Sequence, residues 1–171
     1  MTASAELKND PLLTALLTYW EKKRGTRVMP RRRDIDPLEM PTRLLPYLQL
    51  IELGERGRLR FRLIGTAIVD AMGRDATGRY LDDVMAGEHK RFIENFYRTA
   101  LGAGRPALGT YSLRRDGTSE LATVRLATPL SENGRDADML LTATSFRSLH
   151  GRGALPPLAA PEIGLGAIEL L

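Results

Sequence analysis

Four carboxylates and a histidine fall within fifteen positions of this sequence: Asp75, Asp82, Asp83, Glu88 and His89. Carboxylates beside an imidazole are the raw material of general acid–base catalysis, provided that they converge on one pocket with shifted pKa values. Nearness in sequence does not supply that convergence, because the five span a loop and the start of a helix. Composition removes other chemistries. The 171 residues include no cysteine, which excludes thiolate zinc sites, iron–sulfur ligation, cysteine nucleophiles and any photochemistry that needs a flavin–cysteine adduct. Two histidines, His89 and His150, are too few for a histidine-rich metal centre, so no metal site is expected. Gly102-Ala103-Gly104 ends a helix and lacks the strand-before, helix-after setting of a phosphate loop. The balance of these points is a protein that is not an enzyme. A small enzyme built on the Asp75–His89 grouping is the alternative.

A second grouping is electrostatic. The chain carries 25 basic and 21 acidic residues for a net charge of +4, and seven of the basic residues lie between Glu21 and Arg33. Within it, Arg27, Arg31, Arg32 and Arg33 are the candidate patch for an anionic partner. The opposing reading is a solvated loop whose arginines pair with Asp34, Asp36 and Glu39. No reading motif or stacking aromatics accompany the cluster, which argues against nucleic acid as the partner.

These groups need elements to hold them. Asp10-Pro11 opens a helix with an N-cap acid and a proline at the first helical position. Leu12, Leu13, Leu16, Leu17 and Trp20 then recur at helical spacing, and Gly25 stops it. The wide apolar stripe demands a partner surface, either the domain's own core or another subunit. Four prolines between Met29 and Pro46 read as an extended connection with one short turn at Pro37–Met40. Tyr47–Leu53 and Arg58–Gly65 then alternate with period two, and Leu59, Phe61 and Leu63 oppose Arg60 and Arg62, so the sheet is expected to have one solvated face. Thr66 caps a short helix that ends at Gly73. Glu88–Leu101 repeats His89, Phe92, Ile93, Phe96, Tyr97, Ala100 and Leu101 on one helical face. Three further strands are expected, Ala107–Arg114, Ser119–Pro129 and Asp138–Phe146, the first two joined at Arg115-Asp116-Gly117-Thr118. The fold class is α+β: a five-stranded antiparallel sheet with helices inserted between its second and third strands, preceded by an amphipathic helix. The divisions are 1–28 for that helix, 29–149 for the domain, and 150–171 for a Gly/Ala/Pro-rich tail that either docks or moves.

That element order, together with LLTYWEKKRGTRVMPRRRDIDPLEMP, LLPYLQLIEL and FRLIGTAIVDAMGRDATGRYLDDV, resembles the compact single-domain PAS family of alphaproteobacteria, PAS type 5. The resemblance covers about Leu12 to Phe146. It implies a cytoplasmic signalling module without an attached kinase, cyclase or phosphodiesterase. It further implies a cavity between sheet and helices that takes protein partners' signals or a small ligand, and a homodimer formed through the N-terminal helix, with Leu13, Leu16, Leu17 and Trp20 at the interface. A signalling protein is the expected partner. Met72, Tyr80, Phe92, Phe96 and Tyr111 are the pocket candidates, mostly apolar with two hydroxyls. In the motif from Gly73 to Asp82, Asp75 and Arg79 are placed to pair across the loop, and Asp82 to cap a turn.

Cofactors stay unassigned. Haem-binding PAS domains use a histidine on the helix that carries His89, and the apolar stripe puts His89 in line with Phe92, Ile93 and Phe96. Its neighbours Glu88, Lys90 and Arg91 place it at an exposed helix start, which disfavours a haem ligand. Flavin held without an adduct stays open. No segment approaches the ~18–20 apolar residues needed to cross a bilayer, and the polar N-terminus lacks a secretory hydrophobic region.

Overall fold

The computed structural model describes residues 3–115, 119–148, 162–164 and 166–171. Helix α1 (Ala3–Lys8) precedes α2 (Pro11–Arg24), β1 (Leu48–Leu53), β2 (Leu59–Ile64), α3 (Thr66–Met72), α4 (Leu81–Val84), α5 (Gly87–Ala103), β3 (Ala107–Arg115), β4 (Ser119–Leu130), β5 (Met139–Ser148), β6 (Glu162–Ile163) and β7 (Ala167–Leu170). The expected elements are all present, and α1, α4, β6 and β7 are additional. The strands form one antiparallel sheet in the order β2-β1-β5-β4-β3-β6, with β7 also on β3. Its five central strands are those of the sequence reading. The count rises to seven because the tail returns to the sheet: Leu113 pairs with Ile163, and Ala107 to Thr110 pair with Leu170 to Ala167. Arg105 holds the end of the chain by donating from Nε and Nη2 to the Leu171 carbonyl at 3.1 and 2.9 Å. The β3–β4 turn at 116–118 and most of the tail, including His150, lie outside the described residues.

Asp10 caps α2 as the sequence requires, accepting from the amides of Leu12 and Leu13. The helix then lies on the sheet of its own chain. Leu13 and Leu16 are fully buried, Trp20 is 3% exposed, and they share one cluster with Leu48, Leu50, Val124, Leu126, Leu141 and Ala143. The Trp20 indole N–H donates to the Pro129 carbonyl at 2.7 Å. This corrects the expectation that Leu13, Leu16 and Trp20 form a subunit interface. Their apolar surface is already spent inside one chain, with Leu17 packed at the cluster's margin.

The same packing corrects the solvated sheet face. Helix α5 covers the opposite side, where Ile93, Phe96, Tyr97 and Ala100 meet Ile51, Phe61, Tyr111 and Leu140. The central strands are therefore buried on both faces. Leu63 is a further correction, at 47% exposed. The β1–β2 register runs Leu50 with Leu63 but Ile51 with Phe61, so Arg62 is an extra residue in β2. A bulge of one residue flips every side chain beyond it. Ile64 thus joins Phe61 on the α5 side, and Leu63 turns away.

The three-proline stretch 30–41 and its neighbours form three 3-10 turns, Arg32–Asp34, Pro37–Glu39 and Thr42–Tyr47, rather than one. Helix α3 starts at Gly65 with no side-chain cap, so Thr66 does not cap it. Gly65 is required for a different reason: a Cβ there would lie 2.2 Å from the Pro46 carbonyl oxygen.

Candidate functional site

Between α3, α4, α5 and the sheet lies a narrow cavity of about 20 Å³. The bulge brings in Phe61 and Ile64. Helix α3 and the loop after it contribute Ile68, Met72, Arg74 and Ala76, and the end of α4 contributes Val84 and Met85. Gln49, Tyr111, Leu113, Arg125 and Phe146 rise from the sheet, and His89 from the first turn of α5. The apolar members make the walls, and the polar ones gather on the sheet side.

Arg125 organises that polar floor. Its Nε donates to Thr144 Oγ1 and its Nη1 to the Tyr97 hydroxyl, both at 2.8 Å. Tyr97 in turn donates to Gln49 Oε1 at 3.2 Å, and the Thr142 hydroxyl reaches the same oxygen at 3.4 Å. The guanidinium carbon stands 5.9 Å from the ring centres of both Tyr97 and Tyr111. Arg125 is only 4% exposed, and among the described residues no aspartate or glutamate lines the cavity. A guanidinium cannot shed its charge, and burying an ion without a counter-charge costs several kcal/mol, ~3 or more. Cation–π and hydrogen-bond contacts offset part of that cost.

Two neighbours of Arg125 are unusual. The Tyr111 hydroxyl is buried and has no hydrogen-bond partner among the described residues, and burial pushes its pKa up to about 12. His89 is buried at 6% exposure, its ring centre 6.1 Å from that of Tyr111. Burial, and then the Arg125 charge, hold its pKa down at about 4, so the imidazole is neutral at neutral pH.

Of the five pocket candidates, the cavity contains Met72 and Tyr111 but not Tyr80, Phe92 or Phe96. Phe96 belongs to the core, its ring over Gly109, where a Cβ would lie 3.0 Å from it. Phe92 packs at a tilt against Tyr111, ring centres 5.1 Å apart. Tyr80 lies outside, under the Arg58 guanidinium at 3.9 Å. The helical spacing that selected Phe92 and Phe96 reports the buried face of α5, and only its first turn reaches the cavity.

The Gly73–Asp82 motif works along the edge of the sheet. The Gly78 amide donates to the Phe61 carbonyl and the Phe61 amide to the Arg79 carbonyl, at 2.7 and 2.9 Å, while Arg60 and Tyr80 form a bridge. The segment so covers the free edge of β2. Asp75 accepts from the Thr77 amide rather than pairing with Arg79. Asp82, with Asp83, grips Arg58 instead of capping a turn, which holds its carboxyl below the usual range. Glu88 is exposed beside Arg91. The acidic grouping therefore points to solvent, and of its five members only His89 enters the cavity.

The basic cluster is partly neutralised in place. Arg27 pairs with Asp34 at 2.7 Å and Lys23 with Glu39 at 2.8 Å. Arg31 is drawn against the 131–136 turn, its side chain beside Gly134 and its backbone bridged to Ser131. Arg32 donates to the Ile35 carbonyl. Arg33 is exposed.

The model of the PAS domain family, type 5, matches residues 8–144. The chain belongs to the PAS domain family. A comparison with curated proteins finds no match. In PAS terms the cavity is the space between the family's helical layer and its sheet, and the motif at 73–82 is the cover of one sheet edge. PAS domains are in general sensory or signalling modules. Among the described residues no helix is long and apolar enough to cross a membrane. Nor do any three His, Asp or Glu among the described residues form a group fit to hold a metal ion. A cavity of about 20 Å³ admits one water-sized guest, so neither haem at His89 nor flavin fits the walls as they stand.

Proposed function

We propose that this PAS domain is a non-catalytic, cytoplasmic sensor that takes a small molecule into the sheet–helix cavity and reports its presence to a signalling protein. The observation that carries this reading is the Tyr111 hydroxyl, buried in the cavity wall without a protein partner among the described residues. Buried polar groups are satisfied in the great majority of cases, by protein or by water, and one without a protein partner in a concave site offers a guest a hydrogen bond. The mouth of the cavity supplies the means of report. We take it to be the more accessible part of the lining, the exposed Arg74 with the half-buried Met72, Val84 and Met85, where the Arg74 guanidinium donates to the Val84 carbonyl. Unbranched methionines yield to a guest at low cost, and a guest that displaces them shifts the exposed Arg74 loop. A partner protein then reads that loop. Any homodimer uses a surface other than the buried Leu13–Leu16–Trp20 face.

Amide chemical-shift mapping of the full chain against a library of small metabolite-like compounds tests the reading. Binders are expected to move the Tyr111, Arg125 and Met85 signals together, and the Arg74 loop with them. A library that moves no cavity signal at millimolar concentration overturns it.

A further inference from the structure

The polar floor narrows the ligand class, given the sensor reading above. Arg125 brings a permanent positive charge to the cavity, yet among the described residues no carboxylate lines the space it faces. Its Nε and Nη1 are used by Thr144 and Tyr97, while Nη2 has no hydrogen bond among the described residues. Tyr111, whose ring lies 5.9 Å from the guanidinium carbon, adds a hydroxyl with no acceptor. The N–H donors left on the guanidinium and the Tyr111 O–H share one cavity lining, and together they suit a carboxylate, whose two oxygens both accept. The remaining walls, Phe61, Ile64, Ile68 and Leu113, are apolar and suit a short hydrocarbon chain. His89 is uncharged at neutral pH and does not compete as a second cation.

We propose that the cavity binds a small aliphatic carboxylate, with its anionic head on Arg125 and the Tyr111 hydroxyl and its short chain against Phe61, Ile64 and Ile68. The head supplies the counter-charge that no described lining residue gives Arg125. The chain enters by displacing Met72 and Met85 at the mouth, because the present volume of about 20 Å³ is smaller than even a two-carbon acid.

Calorimetric titration and amide-shift mapping of the full chain at pH 7 compare butyrate with butyramide, its neutral isostere, at matched sodium chloride. Butyrate is expected to bind and to move the Tyr111 and Arg125 signals, with the amide at least tenfold weaker. Tyr111→Phe is the decisive variant, since it removes a hydroxyl that has no partner and leaves the free protein as stable as the parent. It is expected to weaken butyrate at least fivefold. Equal binding of acid and amide, or an unchanged butyrate affinity in Y111F, overturns the carboxylate assignment while leaving a ligand-binding cavity. So does butyrate failing while unrelated library compounds move the cavity signals. If nothing moves them, the sensor reading falls as well. Chloride alone shifting the same signals to saturation points to an inorganic anion and overturns the organic one.

Discussion

Arg125 shows how one residue escapes a sequence reading. In TVRLATPL an arginine between alternating apolar residues reads as the solvent-facing member of a strand, because alternation is the usual signature of a sheet with one wet face. Here both faces are dry, and the arginine points into the fold. The only signal for it was β4's company: Thr123, Arg125 and Ala127 alternate with Val124 and Leu126, and a second helical layer was needed to see both sets buried. His89 has the reverse history. Its place on the apolar stripe of α5 was legible, and its charged neighbours Glu88 and Lys90 suggested exposure that it does not have. Its burial makes a prediction about pH. The folded pKa of about 4 lies below the ordinary 6.5, so the unfolded chain binds more protons between those values. Stability is then complete above pH 6.5 and falls as pH drops toward 4. The charged and titratable groups against His89 are Arg125 from β4, whose charge acts on it, and Tyr111 from β3, whose ring is 6.1 Å away; burial raises the tyrosine's pKa to about 12, well outside that window. Arg74 from the α3–α4 loop shares the cavity lining. Linkage gives a loss of about 2 kcal/mol between pH 7 and pH 5 from this group alone. Urea unfolding at the two pH values checks it, with His89→Gln as the control that removes the difference; an equal loss in H89Q assigns the pH dependence elsewhere.

At the scale of elements, α2, α5 and the five central strands were readable because each carries its own period and stop: Asp10-Pro11 and Gly25 for α2, Gly104 for α5. What the sequence did not show are the features set by two elements at once. The bulge at Arg62 arises from how β1 and β2 pair, and period-two counting continued straight through it to Leu63. The contact of Gly65 with the Pro46 carbonyl is likewise a meeting of two segments distant in sequence. It fixes where α3 leaves the sheet, and α3 carries Ile68 and Met72 to the cavity. Gly65→Ala is expected to cost about 3 kcal/mol or more, because backbone rather than a flexible side chain blocks the new methyl. Asp10→Ala tests the other end of the fold. It removes the α2 cap, typically about 1 kcal/mol, and also the longer-range approach to Arg147 at 3.5 Å. Chemical denaturation of both variants should rank G65A well below D10A. Similar midpoints for the two would mean that Pro46 gives way.

At the scale of the molecule, the sheet is enclosed on every side. Helix α2 covers one face and α5 the other; the Gly78–Tyr80 segment closes the β2 edge, and β6 and β7 close the β3 edge. This explains why the tail, compositionally a linker, ends in an apolar run: Ile168 packs on the α5 cluster and Leu171 on the α2 cluster. It also changes what disrupting α2 should do. Leu16→Asp places a charge where the side chain is fully buried, and the expected result is loss of the folded state by circular dichroism, not a folded monomer. The tail carries the more informative experiment. An uncovered edge strand presents a row of free N–H and C=O groups to any second strand, and β3 is nine residues long. A chain ending at Ser148 should keep its helices and the cavity, yet associate through the bared β3 edge. Light scattering over a concentration series is expected to show mass rising above that of the full-length protein at the same concentration. Unchanged mass with an unchanged unfolding midpoint would mean that β6 and β7 contribute neither cover nor core, and that the apolar end of the chain serves something other than closing this sheet.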